Sequence, residues 1–267
     1  MRTPQDAAEL FEQACSAFKL AKAWGDAAAT YLKLSECHMK MNSTYEAATT
    51  IVDAGNCYKK ISPLDALRCF ERSVGLFQEA GRLQMAARQL KECAKMSEQA
   101  GDKRRALELH MHAADLFLGE EQVQEGHKEL LEVAMLQGEL EDFVMAIDTF
   151  ERVALFYLDN HLLKFSARGI LFNALICHLV LGDMEACRIA VDRYREMDVK
   201  FDMSREQELI DALITTIEAG DDQGFTDAVA QFDSLSRLDP WKTNLLLKIK
   251  RRIAAGTAAG FDEDDLT

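Results

Sequence analysis

Apolar side chains recur along this chain at three- and four-residue intervals. In the first such segment Leu10, Phe11, Ala14, Ala17, Phe18 and Ala21 fall on one face of an α-helix. Segments of about 15 to 20 residues with the same 3.6-residue period follow one another, and the period of two that marks strands is not the rule anywhere. Short punctuators separate them: "WGD" at 24–26, "AGR" at 80–82, "AGD" at 100–102, "LGD" at 181–183 and "AGD" at 219–221. Glycine accepts the left-handed backbone that closes a helix, and aspartate satisfies the free amides that open the next. Each of these steps therefore predicts a turn between two helices.

The small residues Ala27-Ala28-Ala29, Ala47-Ala48, Ala86-Ala87 and Ala113-Ala114 mark expected helix contacts, with Tyr31, Tyr58, Phe70, Phe77 and Phe117 filling the gaps beside them. A helix pair of this kind every ~35 to 45 residues is the pattern of an α-solenoid of tetratricopeptide type. From residue 161 the rhythm changes. The stretch "HLLKFSARGILFNALICHLVLGD" is longer and more apolar than any earlier one, and a helix apolar on several faces belongs in a bundle interior. The expected fold class is all-α: a tetratricopeptide-like right-handed helical-hairpin solenoid over residues 1–160, a C-terminal helical bundle over 161–255, and a flexible acidic tail over 256–267. The last helix, "DPWKTNLLLKIKRRI", should begin with Asp239 as N-cap and Pro240 at its first position. The following "AAGTAAG" reads as a structureless linker to the tail.

Composition agrees with helices throughout, since only Pro4, Pro63 and Pro240 resist them. The formal net charge of −14 argues against a protein held to nucleic acid, which requires many cations facing phosphates. Within that acidic background, residues 79–105 reverse the sign, with seven basic side chains (Arg82, Arg88, Lys91, Lys95, Lys103, Arg104, Arg105) against four acidic ones. If alternate helices stack in parallel, Arg82, Arg88 and Lys128 line one broad surface suited to an elongated acidic partner. Seven cysteines, an odd number without a C-x-x-C pair, read as small apolar residues in a reducing compartment rather than a disulfide or zinc framework. No signal-peptide core and no apolar run of about 18 residues is visible, so a cytoplasmic chain is expected.

Chemistry is harder to find. The chain has no G-x-x-x-x-G-K-[ST], no G-x-G-x-x-G, no H-E-x-x-H and no G-x-S-x-G, so no catalytic residue, metal site or cofactor is assigned. Glu108 and His112 stand at i,i+4, a spacing that can share a metal, but a satisfied or solvated helical histidine is the expectation. Cys37-His38 and Cys177-His178 are adjacent rather than facing, which does not suit a thiolate–imidazole pair.

Several stretches resemble the soluble NSF attachment proteins, of the alpha/beta type. They are "AAATYLKLSECH", "AATTIVDAGNCYKK", "LLKFSARGILFNALICH", "MSREQELI", "FDSLSRLDPWKTNLLLKIKRRI" and the terminal "DEDDL", spanning residues 7 to 266 in the family's order. The resemblance implies an adaptor, not an enzyme. Such adaptors bind the four-helix SNARE bundle of syntaxin-type complexes, recruit the hexameric ATPase NSF and stimulate disassembly of that bundle. Carried over, Arg82, Arg88 and Lys128 would face the SNARE bundle, with Lys22, Lys59 and Lys60 as further candidates. Glu218, Asp221 and Asp222, with Asp262, Glu263, Asp264, Asp265 and Leu266, would belong to the end that contacts NSF. Leu266 resembles the penultimate leucine needed to stimulate the ATPase. The chain starts almost directly at the family's second helix, without the usual first helix and membrane-dipping loop. The expectation is weak membrane attachment, mainly through SNAREs, at vesicle, Golgi and target membranes. The linker before the tail is longer than the family's usual one, which dilutes Leu266 at its site only slightly. The alternative from another class is a generic helical-repeat scaffold holding a peptide in a groove, which would be far less salt-sensitive than a charge-led surface.

Overall fold

The computed structural model describes residues 3–261, and every regular element among them is an α-helix. Eight come first: α1 (Pro4–Leu20), α2 (Trp24–Lys40), α3 (Thr44–Tyr58), α4 (Pro63–Glu79), α5 (Leu83–Gln99), α6 (Lys103–Gly119), α7 (Val123–Glu139) and α8 (Phe143–Asp159). Five follow: α9 (Lys164–Leu181), α10 (Met184–Met197), α11 (Arg205–Ala219), α12 (Asp222–Leu235) and α13 (Pro240–Phe261). The chain divides into two compact units, up to Glu132 and from Val133, with the boundary inside α7.

In the first unit each of the helices α1 to α5 packs on the one that follows it. The first residues of α1 to α8 recur every 20 positions, with one step of 19 between Thr44 and Pro63. That rhythm comes from a helix of about five turns plus a tight three-residue connection, and two such units make a hairpin of about 40 residues. The alanine pairs do what their size allows: Ala27, Ala28, Ala47, Ala48, Ala86, Ala87, Ala113 and Ala114 are all 0% exposed. Phe70, Phe77 and Phe117 fill the space beside them, each burial contributing about 2 to 3 kcal/mol. Gly55, in "DAGN", is required by this packing, because a Cβ there would sit 2.8 Å from the Phe70 ring.

The turns differ in part from the Gly-Asp expectation. Gly81, Gly101, Gly182 and Gly220 do take left-handed backbone, at φ of 66°, 83°, 88° and 66°. Asp102, Asp183 and Asp221 each cap the following helix by accepting an amide proton. "WGD" is a correction: Trp24 and Gly25 lie in the first turn of α2, and the left-handed residue is Lys22, at φ 56°. Asn42, Glu121 and Glu141 do the same at φ 59°, 58° and 67°. In these four turns a residue with a Cβ accepts the strained backbone that the repeat imposes, at about 1 kcal/mol each.

In the second unit α9 is the centre. Ten of its side chains, from Ala167 to Leu179, are buried, and α8, α10, α11 and α13 all pack against it. By length and composition α9 passes as a membrane span, with mean hydropathy 1.3, which corrects the expectation that no such run exists. More than half of it lies inside the core. Trp241, from "SRLD-x-W", ties α13 to α7 and α8: its indole N–H donates to the Met135 carbonyl at 2.9 Å, and its ring meets Phe150 edge-on at 5.7 Å. A Cβ on Gly138 would sit 2.6 Å from that indole. Asp239 caps α13 as expected, accepting from the Lys242 amide at 2.9 Å. The helix then runs to Phe261, through the stretch expected as a structureless linker. Its four alanines have the best helix propensity of any residue, and neither Gly256 nor Gly260 stops it. All seven cysteines are buried and unpaired, and burial pushes the Cys93, Cys177 and Cys187 thiols up to about 12.

Candidate functional site

The basic candidates all belong to the first unit, where they form two groups. Arg88 is exposed at the sixth position of α5, its guanidinium 3.9 Å from Met85 Sδ. Lys128 is exposed at the sixth position of α7, forty residues later, and donates to Glu125 at 2.5 Å. Forty residues is one hairpin repeat, so the two side chains occupy the same place in successive units. Lys91, one turn after Arg88, joins the helices: it closes on Glu129 and lies 3.9 Å from Glu125. Arg82, just before α5, lies with its guanidinium 5.5 Å from the centre of the Tyr45 ring. That stacking holds an exposed cation in one orientation without neutralising it.

Lys22, Lys59 and Lys60 form the second group, at the α1–α2 and α3–α4 turns, and Glu92 of α5 joins it to the first through Lys59. The two turns are neighbours, since a Cβ on Gly25 would lie 3.5 Å from Ile61. Lys22 and Lys60 are exposed. Lys59 is engaged, donating to Glu92 at 2.7 Å and lying 5.6 Å from the centre of the Phe70 ring.

Beneath the α5–α7 face is a buried polar cluster that the sequence patterns did not reveal. His110 of α6, 1% exposed, is hydrogen-bonded through Nδ1 to Glu129 of α7 at 2.7 Å and through Nε2 to Glu98 of α5 at 3.0 Å. Glu129 is 0% exposed and shares its carboxylate with Lys91. Burial works against charge on His110, but the hydrogen bonds that Glu129 and Glu98 accept from it outweigh burial and raise the imidazole above its ordinary 6.5. Burial likewise opposes charge on Glu129, and His110 and Lys91 together pull it below the ordinary 4.5. Burial dominates at Glu132, which is raised. The repeat register could have exposed the cluster: forty residues to either side of His110 stand Phe70 and Phe150, both buried core aromatics.

The acidic candidates within the described residues belong to the second unit. Glu218, in the last turn of α11, accepts from Arg188 of α10 at 2.5 Å, and that hydrogen bond lowers its carboxyl. Asp221 is the N-cap of α12, accepting from the Gly224 amide at 2.8 Å. Asp222 opens α12 with a carboxylate 4.0 Å from Lys250. Asp221 thus has a structural duty, whereas Glu218 is an exposed half of a surface pair. Asp262, Glu263, Asp264, Asp265 and Leu266 lie outside the described residues.

A sequence model of the family described as "Soluble NSF attachment protein, SNAP" matches residues 2–254. Over 263 residues the chain is 40% identical to the alpha-soluble NSF attachment protein of Vitis vinifera, covering 98% of this chain and 90% of that one. It is 36% identical to the beta-soluble NSF attachment protein of Bos taurus, covering 93% and 84%. It is also 34% identical to a probable vesicular-fusion protein sec17 homolog of Schizosaccharomyces pombe, covering 98% and 89%. Among solved structures, a signal-transduction ATPase with a tetratricopeptide repeat sensor from Pyrococcus horikoshii matches with a TM-score of 0.50 at 14% identity. That match covers 98% of this chain and 38% of the other, and at this identity it speaks for the fold alone.

Proposed function

The chain belongs to the soluble NSF attachment protein family, and from that premise we propose a division of labour along it. It is an adaptor rather than an enzyme, linking SNARE complexes to NSF, with the energy for taking them apart supplied by ATP hydrolysis on the partner. Residues 1–160 act as the SNARE-binding part, 161–255 as the bundle that meets NSF, and 256–267 as the acidic tail. Arg82, Arg88 and Lys128 meet the acidic surface of a syntaxin-type four-helix bundle, with Lys22, Lys59 and Lys60 as outlying contacts. Such complementarity sets encounter rate and register more than raw affinity. Glu218, Asp221 and Asp222, with Asp262, Glu263, Asp264, Asp265 and Leu266, engage the hexameric NSF. The adaptor works in the cytoplasm, peripheral on vesicle, Golgi and target membranes through its SNARE partners.

The observation that carries this reading is the register match of Arg88 and Lys128, two exposed cations one repeat apart on helices joined by Lys91. The test is NSF-dependent disassembly of a preformed soluble SNARE complex with ATP. The intact chain should support it, and Leu266→Ala should bind SNAREs yet fail to stimulate. An intact chain that neither binds SNAREs nor stimulates ATP hydrolysis would remove the reading.

A further inference from the structure

A continuous series of contacts leads from the buried cluster to the exposed face. Glu98 bonds His110 at 3.0 Å, and His110 bonds Glu129 at 2.7 Å. Glu129 is closed by Lys91, which lies 3.9 Å from Glu125, which in turn accepts from Lys128 at 2.5 Å. Lys91 is therefore shared between an inner carboxylate that is 0% exposed and an outer one that is 40% exposed. A buried carboxylate without a counter-charge is costly. When His110 carries its proton, Glu129 is balanced from within, and Lys91 is released toward Glu125 and whatever meets the face. Without the proton, Glu129 has Lys91 as its remaining counter-charge and holds it inward.

We propose that protonation of His110 strengthens the docking of an acidic helical partner on the α5–α7 face, with Lys91 and Glu129 as the positioning residues between them. The proposal rests on the reading that this face meets SNARE complexes. The protonated state adds one positive charge under the surface, and it frees a second cation three residues from Arg88. The charged groups that bear on His110 are Glu98 and Lys91 from α5 and Glu129 and Glu132 from α7. Burial opposes the proton on His110, Glu129 and Glu98 favour it, and burial holds Glu132 toward its neutral form. Since the imidazole is raised above 6.5, docking should weaken as pH climbs through that raised value.

The experiment measures affinity for a soluble, membrane-free SNARE complex at about pH 6, 7 and 8, comparing the intact chain with His110→Gln and Glu129→Gln. An NMR titration of the His110 imidazole in the free protein runs beside it. The intact chain should lose roughly twofold to tenfold in affinity across that range, with a His110 midpoint above 6.5. His110→Gln should keep only the slope that belongs to the partner, and Glu129→Gln should flatten it likewise. An equal slope in the intact chain and His110→Gln overturns the proposal, as does a midpoint at or below 6.5, and both leave the adaptor reading standing. No SNARE binding at any pH removes the adaptor reading too. The titration needs no variant, so a His110→Gln chain that fails to fold still leaves the proposal open to refutation.

Discussion

Helices up to Glu132 pack on their neighbours in sequence, spaced by alanine pairs and closed by turns every 20 residues. From Val133 on, α9 is instead enclosed by four helices drawn from as far away as α13, and Trp241 is fastened to Met135, 106 residues earlier. The first arrangement repeats a local contact, so it can place chemically alike side chains at equal intervals, as with Arg88 and Lys128. The second spends its apolar surface on one non-local core and offers polar pairs such as Arg188–Glu218 at its margin. Regularity suits a surface that tracks a long partner, and an irregular bundle suits a single docking end.

Substitutions should separate the two regions. The largest effect belongs to Trp241→Ala, which removes the link between α13 and α7–α8 and should cost about 3 to 5 kcal/mol, seen in denaturant unfolding of the second unit. A loss under 1 kcal/mol would mean that α13 is held by other contacts. Next comes His110→Gln in the first unit. His110 is raised, so its contribution is full below 6.5 and is lost as pH rises through its folded value; Glu129 is lowered, so its share is full above 4.5 and is lost as pH falls through its folded value. The cost should therefore be greatest between those two values, about 1.5 to 3 kcal/mol, and should shrink at alkaline pH; thermal melts across pH check this. Gly55→Ala forces a methyl against the Phe70 ring and should cost about 1 to 3 kcal/mol. Smallest is Glu121→Gly, which relieves a left-handed backbone and should stabilise the first unit by about 0.5 to 1 kcal/mol. A destabilised variant would show that the Glu121 side chain matters more than its φ.

Much of this was legible in sequence, for reasons that also mark where reading stopped. Gly101, Gly182 and Gly220 announce turns because glycine takes left-handed backbone at no steric cost. Lys22, Asn42, Glu121 and Glu141 hide equivalent turns, since the repeat imposes a backbone their own types do not advertise. "WGD" misled because a glycine in the first turn of a helix looks like one that ends the preceding helix. The apolar run of α9 announced a buried helix, but only tertiary packing distinguishes it from a span. Arg88 and Lys128 could be named from pattern and resemblance, whereas the bridge through Lys91 and Glu129 required three helices to be brought together. His110 was hidden by its polarity: a period-3.6 pattern counts it as surface, and only its match to Phe70 and Phe150 reveals a core position.

The central claim is that the two regions divide the work, with cations of the first unit capturing SNAREs and the acidic C-terminal end engaging NSF. The direct measurement pairs SNARE-complex capture without NSF with disassembly in its presence, for Arg88→Glu/Lys128→Glu and for Leu266→Ala. The account predicts that the charge reversal abolishes capture and hence disassembly, and that Leu266→Ala captures normally and fails only at disassembly. Normal capture by the charge-reversed chain, or loss of capture on changing Leu266, would contradict it.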